Sequence, residues 1–380
     1  MRVIPIASGK GGVGKSLLAA NLSIALAQAG KDVILADLDL GASNLHLSLG
    51  VASPKNGIGT FLSGARNDFE ALVHPTDYAN LRFIAGDAEI PGLANLTAKQ
   101  KAMLARRLLS LEADYLLLDL GAGSGANILD FFLLAGRGIV VTAPTLTATL
   151  NAYLFLKNAI FRLMWESFKP RSKARGILES LRKDGGSLQR AYVPEILGRV
   201  AEADPVSRAA FDLRMSRFAP RLVMNMLEDP KDADKAQKIR RSCKEYLGID
   251  LEHLGVLYRD DLQNIALGSR IPIIRYKPQS ILSQAIYRVA DKLVSTEDDV
   301  DDFLDPEYLD DSYGAASSEA EIDFESKLGY VEDLLQSGVL SMGDLVETVK
   351  MQQYEISQLR KENQLVKSKL AKALMQGFKV

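Results

Sequence analysis

The chain has 380 residues, 47% hydrophobic and 25% charged, with a formal net charge of −2. That content supports either two domains or one large α/β domain with an appendage, and the near-neutral balance excludes a global basic field for nucleic acid or membrane. The single cysteine, Cys243, excludes an internal disulfide framework and a cysteine-ligated metal or cluster within one chain, and the scattered His46, His74 and His253 read as ordinary core or surface residues.

The chain opens on Val3-Ile4-Pro5-Ile6, which runs straight into a glycine-rich loop, so no secretory leader is expected. No apolar run reaches the length of a membrane span, and the expected location is the cytoplasm. Short apolar runs then predict strands at Val3–Ala7, Val33–Asp37, Leu81–Ala85, Tyr115–Leu120, Gly138–Thr142, Leu222–Asn225 and His253–Tyr258. Amphipathic stretches between them, such as Ser16–Ala29, Thr97–Leu111 and Leu150–Met164, predict helices. This alternation implies an α/β fold, a mostly parallel sheet covered by helices on both faces, over residues 1–295.

Phe168–Ala219 departs from the alternation and reads as a helical insertion. Its basic cluster Lys169, Arg171, Lys173 and Arg175 is either a solvated helix face or a surface for DNA phosphates. Residues 296–318 are rich in carboxylates, hold no basic residue and end in Ser and Gly, and predict a flexible acidic linker. Residues 319–380 predict a helical tail. From Met342 a heptad places Met342, Val349, Ile356, Asn363 and Leu370 at a, and Leu345, Gln352, Leu359, Val366 and Ala373 at d. The tail is a candidate parallel coiled coil and partner-binding segment, or else one amphipathic helix folded onto the core. Its last stretch mixes lysines with Leu370, Leu374, Met375 and Phe378, a pattern compatible with peripheral membrane contact.

Gly9-Lys10-Gly11-Gly12-Val13-Gly14-Lys15-Ser16 satisfies G-x-x-x-x-G-K-[ST] between a strand and a helix. The glycines let backbone N–H groups converge on phosphate oxygens, and the following helix points its positive end at the same anion. Lys15 should reach the β- and γ-phosphates of ATP, and the Ser16 hydroxyl should bind Mg²⁺. Lys10 adds like charge beside Lys15 and needs its own anion, unless it is merely solvated. Asp37 and Asp39 end the second strand and Asp119 ends Tyr115–Leu120, which is where a Mg²⁺–water–phosphate site needs carboxylates. Asp119 and Asp37 are the candidate metal-side carboxylates, and Asp39 the candidate that orients or deprotonates water.

Lys10-Gly-Gly-Val-Gly-Lys15-Ser16 resembles the signature of the MinD/ParA family of P-loop ATPases. Asp37-Leu-Asp39-Leu-Gly41-Ala-Ser-Asn44 and Asp119-Leu-Gly121-Ala-Gly123 resemble that family's two switches. Val141-Thr142-Ala143-Pro144, with Thr147 and Asn151-Ala152-Tyr153, is closest to its FlhG branch. The resemblance implies that Lys10 crosses a two-fold interface to the partner subunit's phosphates, so that ATP drives a homodimer. It further implies that Asn225, in Leu222-Val223-Met224-Asn225, reads adenine; a strand-end turn asparagine is the plainer account. The implied function is a slow, regulatory ATPase that controls placement or number of a large cellular structure, flagellar or otherwise polar. The alternatives are a ParA-like partition ATPase on DNA and a nucleotide-stabilised coiled-coil scaffold.

Overall fold

In the computed structural model, eight strands form one sheet in the order β3-β4-β2-β5-β1-β6-β7-β8. They are β1 (Arg2–Ser8), β2 (Val33–Leu38), β3 (His74–Pro75), β4 (Leu81–Ile84), β5 (Tyr115–Ala122), β6 (Ile139–Thr142), β7 (Arg221–Leu227) and β8 (Glu252–Tyr258). The structure describes all residues except 42, 53, 55, 65–67, 87–94, 184–191, 297–304, 338–340 and 376–380. Every pairing is parallel except β3 with β4. β3 is the strand that the apolar pattern does not reveal, because it is two residues long and one of them is Pro75.

β2 is buried along its whole length, as a central parallel strand covered on both faces must be. Alternation along β5 splits the core. Tyr115 and Leu117 join the cluster that holds helix α1 (Lys15–Gln28), while the equally buried Leu116 and Leu118 face the other way. α1 is apolar nearly all round because it lies between the sheet and the helix Ile281–Ser295. The opposite layer contains the helices Ala126–Phe132 and Leu146–Ser167, joined edge-to-face by Phe132 and Phe155 with ring centroids 4.9 Å apart. The segment 168–219 carries the helices Lys173–Lys183, Val193–Ala203 and Pro205–Met215. Its Asp184-Gly185-Gly186 lies outside the described residues.

The expected flexible linker needs correction. A helix runs from Pro306 to Gln336, so the latter part of 296–318 is ordered helix; 297–304 lies outside the described residues. The chain divides into two compact units, Met1–Asp323 and Phe324–Val380, so the first turns of this helix belong with the ATPase-like unit. Leu309, Tyr313, Ala316 and Ala320 are buried at spacings of four, three and four, a helical stripe hidden among acidic residues. Those acids are themselves paired: Asp310 with Arg240 at 2.6 Å, Glu319 with Lys292 at 2.6 Å, and Asp323 with Arg288. The helix also serves β8, which would otherwise be an open sheet edge. His253 N donates to Ser312 Oγ, Tyr308 OH to Glu252 Oε1, and Tyr258 OH to the carbonyl of Ala320.

The second unit contains the end of that helix and the helix Met342–Met375. The heptad residues Val349, Ile356, Leu359 and Val366 are each about half exposed. The side chains of Met342, Leu345, Gln352, Glu355, Leu370 and Ala373 lie outside the described residues, as do Leu374, Met375 and Phe378. Among the described residues no helix is long and apolar enough to cross a membrane.

Candidate nucleotide site

The glycine-rich loop leaves β1 and feeds α1, at the carboxyl end of the sheet where ligands of open α/β folds bind. Its glycines answer steric demands. A Cβ on Gly9 would stand 2.0 Å from the carbonyl oxygen of Asn151. A Cβ on Gly14, whose φ is +86°, would stand 2.1 Å from Asn225 Nδ2. Val13 is buried and anchors the loop between them, and Gly11 and Gly12 form its outer turn.

Parallel register places Asp37 of β2 opposite Asp119 of β5, so two carboxylates from distant parts of the chain meet beneath the loop. Both are essentially inaccessible. Asp37 accepts from Ser43 Oγ at 2.6 Å, Asp39 N at 3.0 Å and Leu45 N at 3.2 Å. Even so, burial and then the charge of Asp119 push its pKa up to about 7. Burial likewise raises that of Asp119, against the pull of Lys15. Lys15 Nζ donates to Asp119 Oδ1 at 2.6 Å and to Ser16 Oγ at 3.2 Å. Asp39 stands by the carboxyl end of β5, its Oδ1 3.2 Å from where a Cβ on Gly121 would lie. Lys15, Ser16, Asp37, Asp39 and Asp119 therefore form one cluster. Two buried carboxylates beside a hydroxyl make a hard-oxygen set of the kind that suits Mg²⁺.

Lys10 is not in that cluster. It is exposed, and its Nζ donates to Thr147 Oγ1 at 3.0 Å on the first turn of the helix Leu146–Ser167. The two lysines of one loop thus have different surroundings, one buried against carboxylates and one on the rim.

Asn225 is buried at the end of β7, directly behind the loop. Its Nδ2 donates to the carbonyl of Val13 at 2.9 Å, and its Oδ1 accepts from Met226 N at 2.8 Å. The geometry makes it a brace of the loop. Met226 beside it has φ +61°, where the β7–β8 register also shifts, a local strain typical of ligand-binding turns. Ser43 and Thr147 are the polar partners that the motif reading did not assign; Ser43 follows Asp37 closely enough in the same loop to have been a candidate. In the basic cluster, Lys169, Arg171 and Lys173 are exposed, but the Arg175 guanidinium stacks 3.4 Å from the Trp165 ring centroid.

The CobQ/CobB/MinD/ParA nucleotide binding domain matches this sequence over residues 4–371. The antiactivator FleN of Pseudomonas aeruginosa is 24% identical over 298 residues, 78% of this chain and 87% of FleN. The flagellum site-determining protein YlxH of Helicobacter pylori is 28% identical over 276 residues, 65% of this chain and 91% of YlxH. Both are FlhG-like. The septum site-determining protein MinD of Helicobacter pylori is 33% identical over 147 residues, 38% of this chain, and the match spans 54% of that protein's length. Among solved structures, MinD of Pyrococcus horikoshii complexed with Mg-ADP aligns with a TM-score of 0.51 over 77% of this chain and 95% of its own, at 21% identity, and shares the fold.

Proposed function

We propose, for a chain that belongs to the CobQ/CobB/MinD/ParA nucleotide-binding family, the function of a Mg-ATP-dependent dimerising switch reset by slow hydrolysis. Its output is placement or number control of a large cellular structure, as the names of the flagellum site-determining and septum site-determining relatives suggest. The observation that carries this reading is the division of labour between Lys10 and Lys15. Lys15 is buried on Asp119, where it can transfer to the β- and γ-phosphates of an incoming ATP. Lys10 is exposed on the rim, where the anion it meets can belong to a second subunit, as a trans-acting finger's does.

Ser16 and Asp119, with Asp37 behind them, are the residues that would hold Mg²⁺, which supplies charge neutralisation at the phosphates when bound. Asp39 is assigned to the attacking water, because it is the less buried carboxylate and borders the carboxyl end of β5. Asn225 keeps the loop in shape through Val13, and adenine readout by the same amide is the competing assignment. The half-exposed heptad residues of the tail would be covered by a second tail, and a parallel pair suits the two-fold symmetry of an ATP-bridged dimer. Attractive g–e pairs, Glu355 with Arg360 and Glu362 with Lys367, accord with that arrangement. The tail remains the proposed protein-partner segment, and the protein is placed in the cytoplasm or peripherally at the membrane or pole. Of the cluster that the DNA-partition reading would use, Arg175 is committed to Trp165 and Lys169, Arg171 and Lys173 are exposed.

Sedimentation of the full chain tests the switch. A non-hydrolysable ATP analogue with Mg²⁺ should give a dimer and ADP a monomer. The same mass in both would refute it.

A further inference from the structure

The helix Leu146–Ser167 and the helix Lys173–Lys183 bound an open groove of about 630 Å³. The first wall presents Leu150, Leu154, Phe161 and Trp165, one face of a helix over four turns, and the second presents Leu178. Leu150 and Leu154 are 54% and 40% exposed, far from the burial that leucine on a packed helix reaches. The groove's polar residues are Lys157, Asn158 and Arg182; Lys157 is buried at 6% exposure, so Arg182 is the cation at the groove's surface, and no carboxylate lines it. From Leu150 to Trp165 the wall is about 22 Å long at 1.5 Å per residue, the length of a bound helix of about 15 residues. That is an elongated apolar trough with the Arg182 guanidinium at its edge and no carboxylate, and its complement is a helix with an apolar stripe and an acidic flank.

We propose that this groove is the docking site for an acidic amphipathic helix of a protein partner. Its apolar side chains lie against Leu150, Leu154 and Leu178, and its carboxylates meet Arg182. The site is also wired to the nucleotide cluster. Asn158 Nδ2 donates to Ser124 Oγ at 2.9 Å, in the turn that follows β5 and Asp119. The first turn of the same helix holds Lys10 through Thr147. Only this link rests on the function proposed above; the docking itself does not.

Trp165 is the only tryptophan in the chain, so its emission reports the groove directly. The full chain is titrated without nucleotide against a synthetic helical peptide of about 16 residues, with leucines on one face and glutamates elsewhere. The controls are the same peptide with lysine for glutamate, and vesicles of phosphatidylglycerol. The expected result is a saturable emission change with the acidic peptide, at least about tenfold tighter than with the basic one. Arg182→Glu should weaken the acidic peptide about tenfold and strengthen the basic one, and Leu154→Asp should weaken both. Both positions are exposed, and an unchanged melting temperature separates loss of the groove from loss of the fold. Equal affinity for the two peptides, no response to either, or indifference to Arg182→Glu overturns the proposal. Tighter binding of the vesicles overturns it in favour of a lipid surface. Because the titration contains no nucleotide, its failure leaves the ATPase reading standing, and failure of ATP-dependent dimerisation leaves the docking result standing.

Discussion

Lys15 Nζ lies 2.6 Å from Asp119 Oδ1, with both side chains buried, and Asp119 is the register partner of Asp37 on the neighbouring strand. Lys15 therefore compensates Asp119, while Asp37 beside it relies on hydrogen bonds from Ser43, Asp39 N and Leu45 N, and burial disfavours the charge of both carboxylates. In the proposed function Lys15 would turn from Asp119 to the phosphates, and Asp119, with Asp37 behind it, would hold Mg²⁺, which would supply the compensating charge.

Lys15→Ala should weaken ATP binding about tenfold to a hundredfold, as expected for loss of a charge-assisted contact. It should also lower the melting temperature of the nucleotide-free protein, because Asp119 keeps its burial and loses its counter-charge. Asp119→Asn in the same chain should restore part of that stability and none of the ATP affinity. Calorimetric titration and thermal melts read the two effects separately.

Asp39→Ala should bind Mg-ATP within about threefold of wild type yet hydrolyse it about a hundredfold more slowly, since a residue acting on the attacking water contributes mainly to the chemical step. ATP-bound dimers should then accumulate. Phosphate release at wild-type rate would move the role to another residue.

Asn225→Ala separates brace from base reader. The Nδ2 hydrogen bond to Val13 shapes the phosphate loop whatever the base. ATP and GTP affinities should therefore fall together, by about tenfold for one buried hydrogen bond. A loss confined to ATP would assign the side chain to adenine.

His253 offers a pH test of the correction to the linker. It is wholly buried on β8, its Nε2 has no hydrogen-bond partner, and its ring faces Tyr313 of the covering helix at 5.0 Å. Burial first, and then the charge of Lys292, hold its pKa down at about 3. The unfolded chain takes up a proton near pH 6.5 while the folded chain stays neutral, so stability falls with pH from about 6.5 towards 3 at up to about 1.4 kcal/mol per unit. Above that window His253 contributes no pH dependence. Between about pH 7.5 and 5, His253→Phe should show a shallower fall in melting temperature than wild type. Identical slopes would mean that the covering helix does not keep this histidine dry.

The loop, its two lysines and the aspartates were legible because their chemistry is local: a fixed spacing between a strand and a helix, and carboxylates at strand ends. The brace from Asn225 to Val13 joins residues far apart in the chain, and only strand order brings them together. The same holds for the covering helix. Carboxylates dominated the composition of 296–318 and suggested a solvated linker, whereas the cations that pair with the helix's acids, Arg240 with Asp310, Lys292 with Glu319 and Arg288 with Asp323, come from elsewhere in the chain. The stripe Leu309, Tyr313, Ala316 and Ala320 was present in the sequence as a periodic signal, weakened by its two alanines.

The most direct test of the switch is Lys10→Ala, examined by sedimentation with a non-hydrolysable ATP analogue and Mg²⁺. Lys10 is exposed and touches Thr147, outside the buried cluster around Lys15, so monomer affinity for the nucleotide should stay within about threefold of wild type. The account predicts that this variant binds nucleotide and remains monomeric where wild type dimerises. A variant that dimerises like wild type, or one that loses nucleotide as Lys15→Ala does, would contradict the trans role of Lys10.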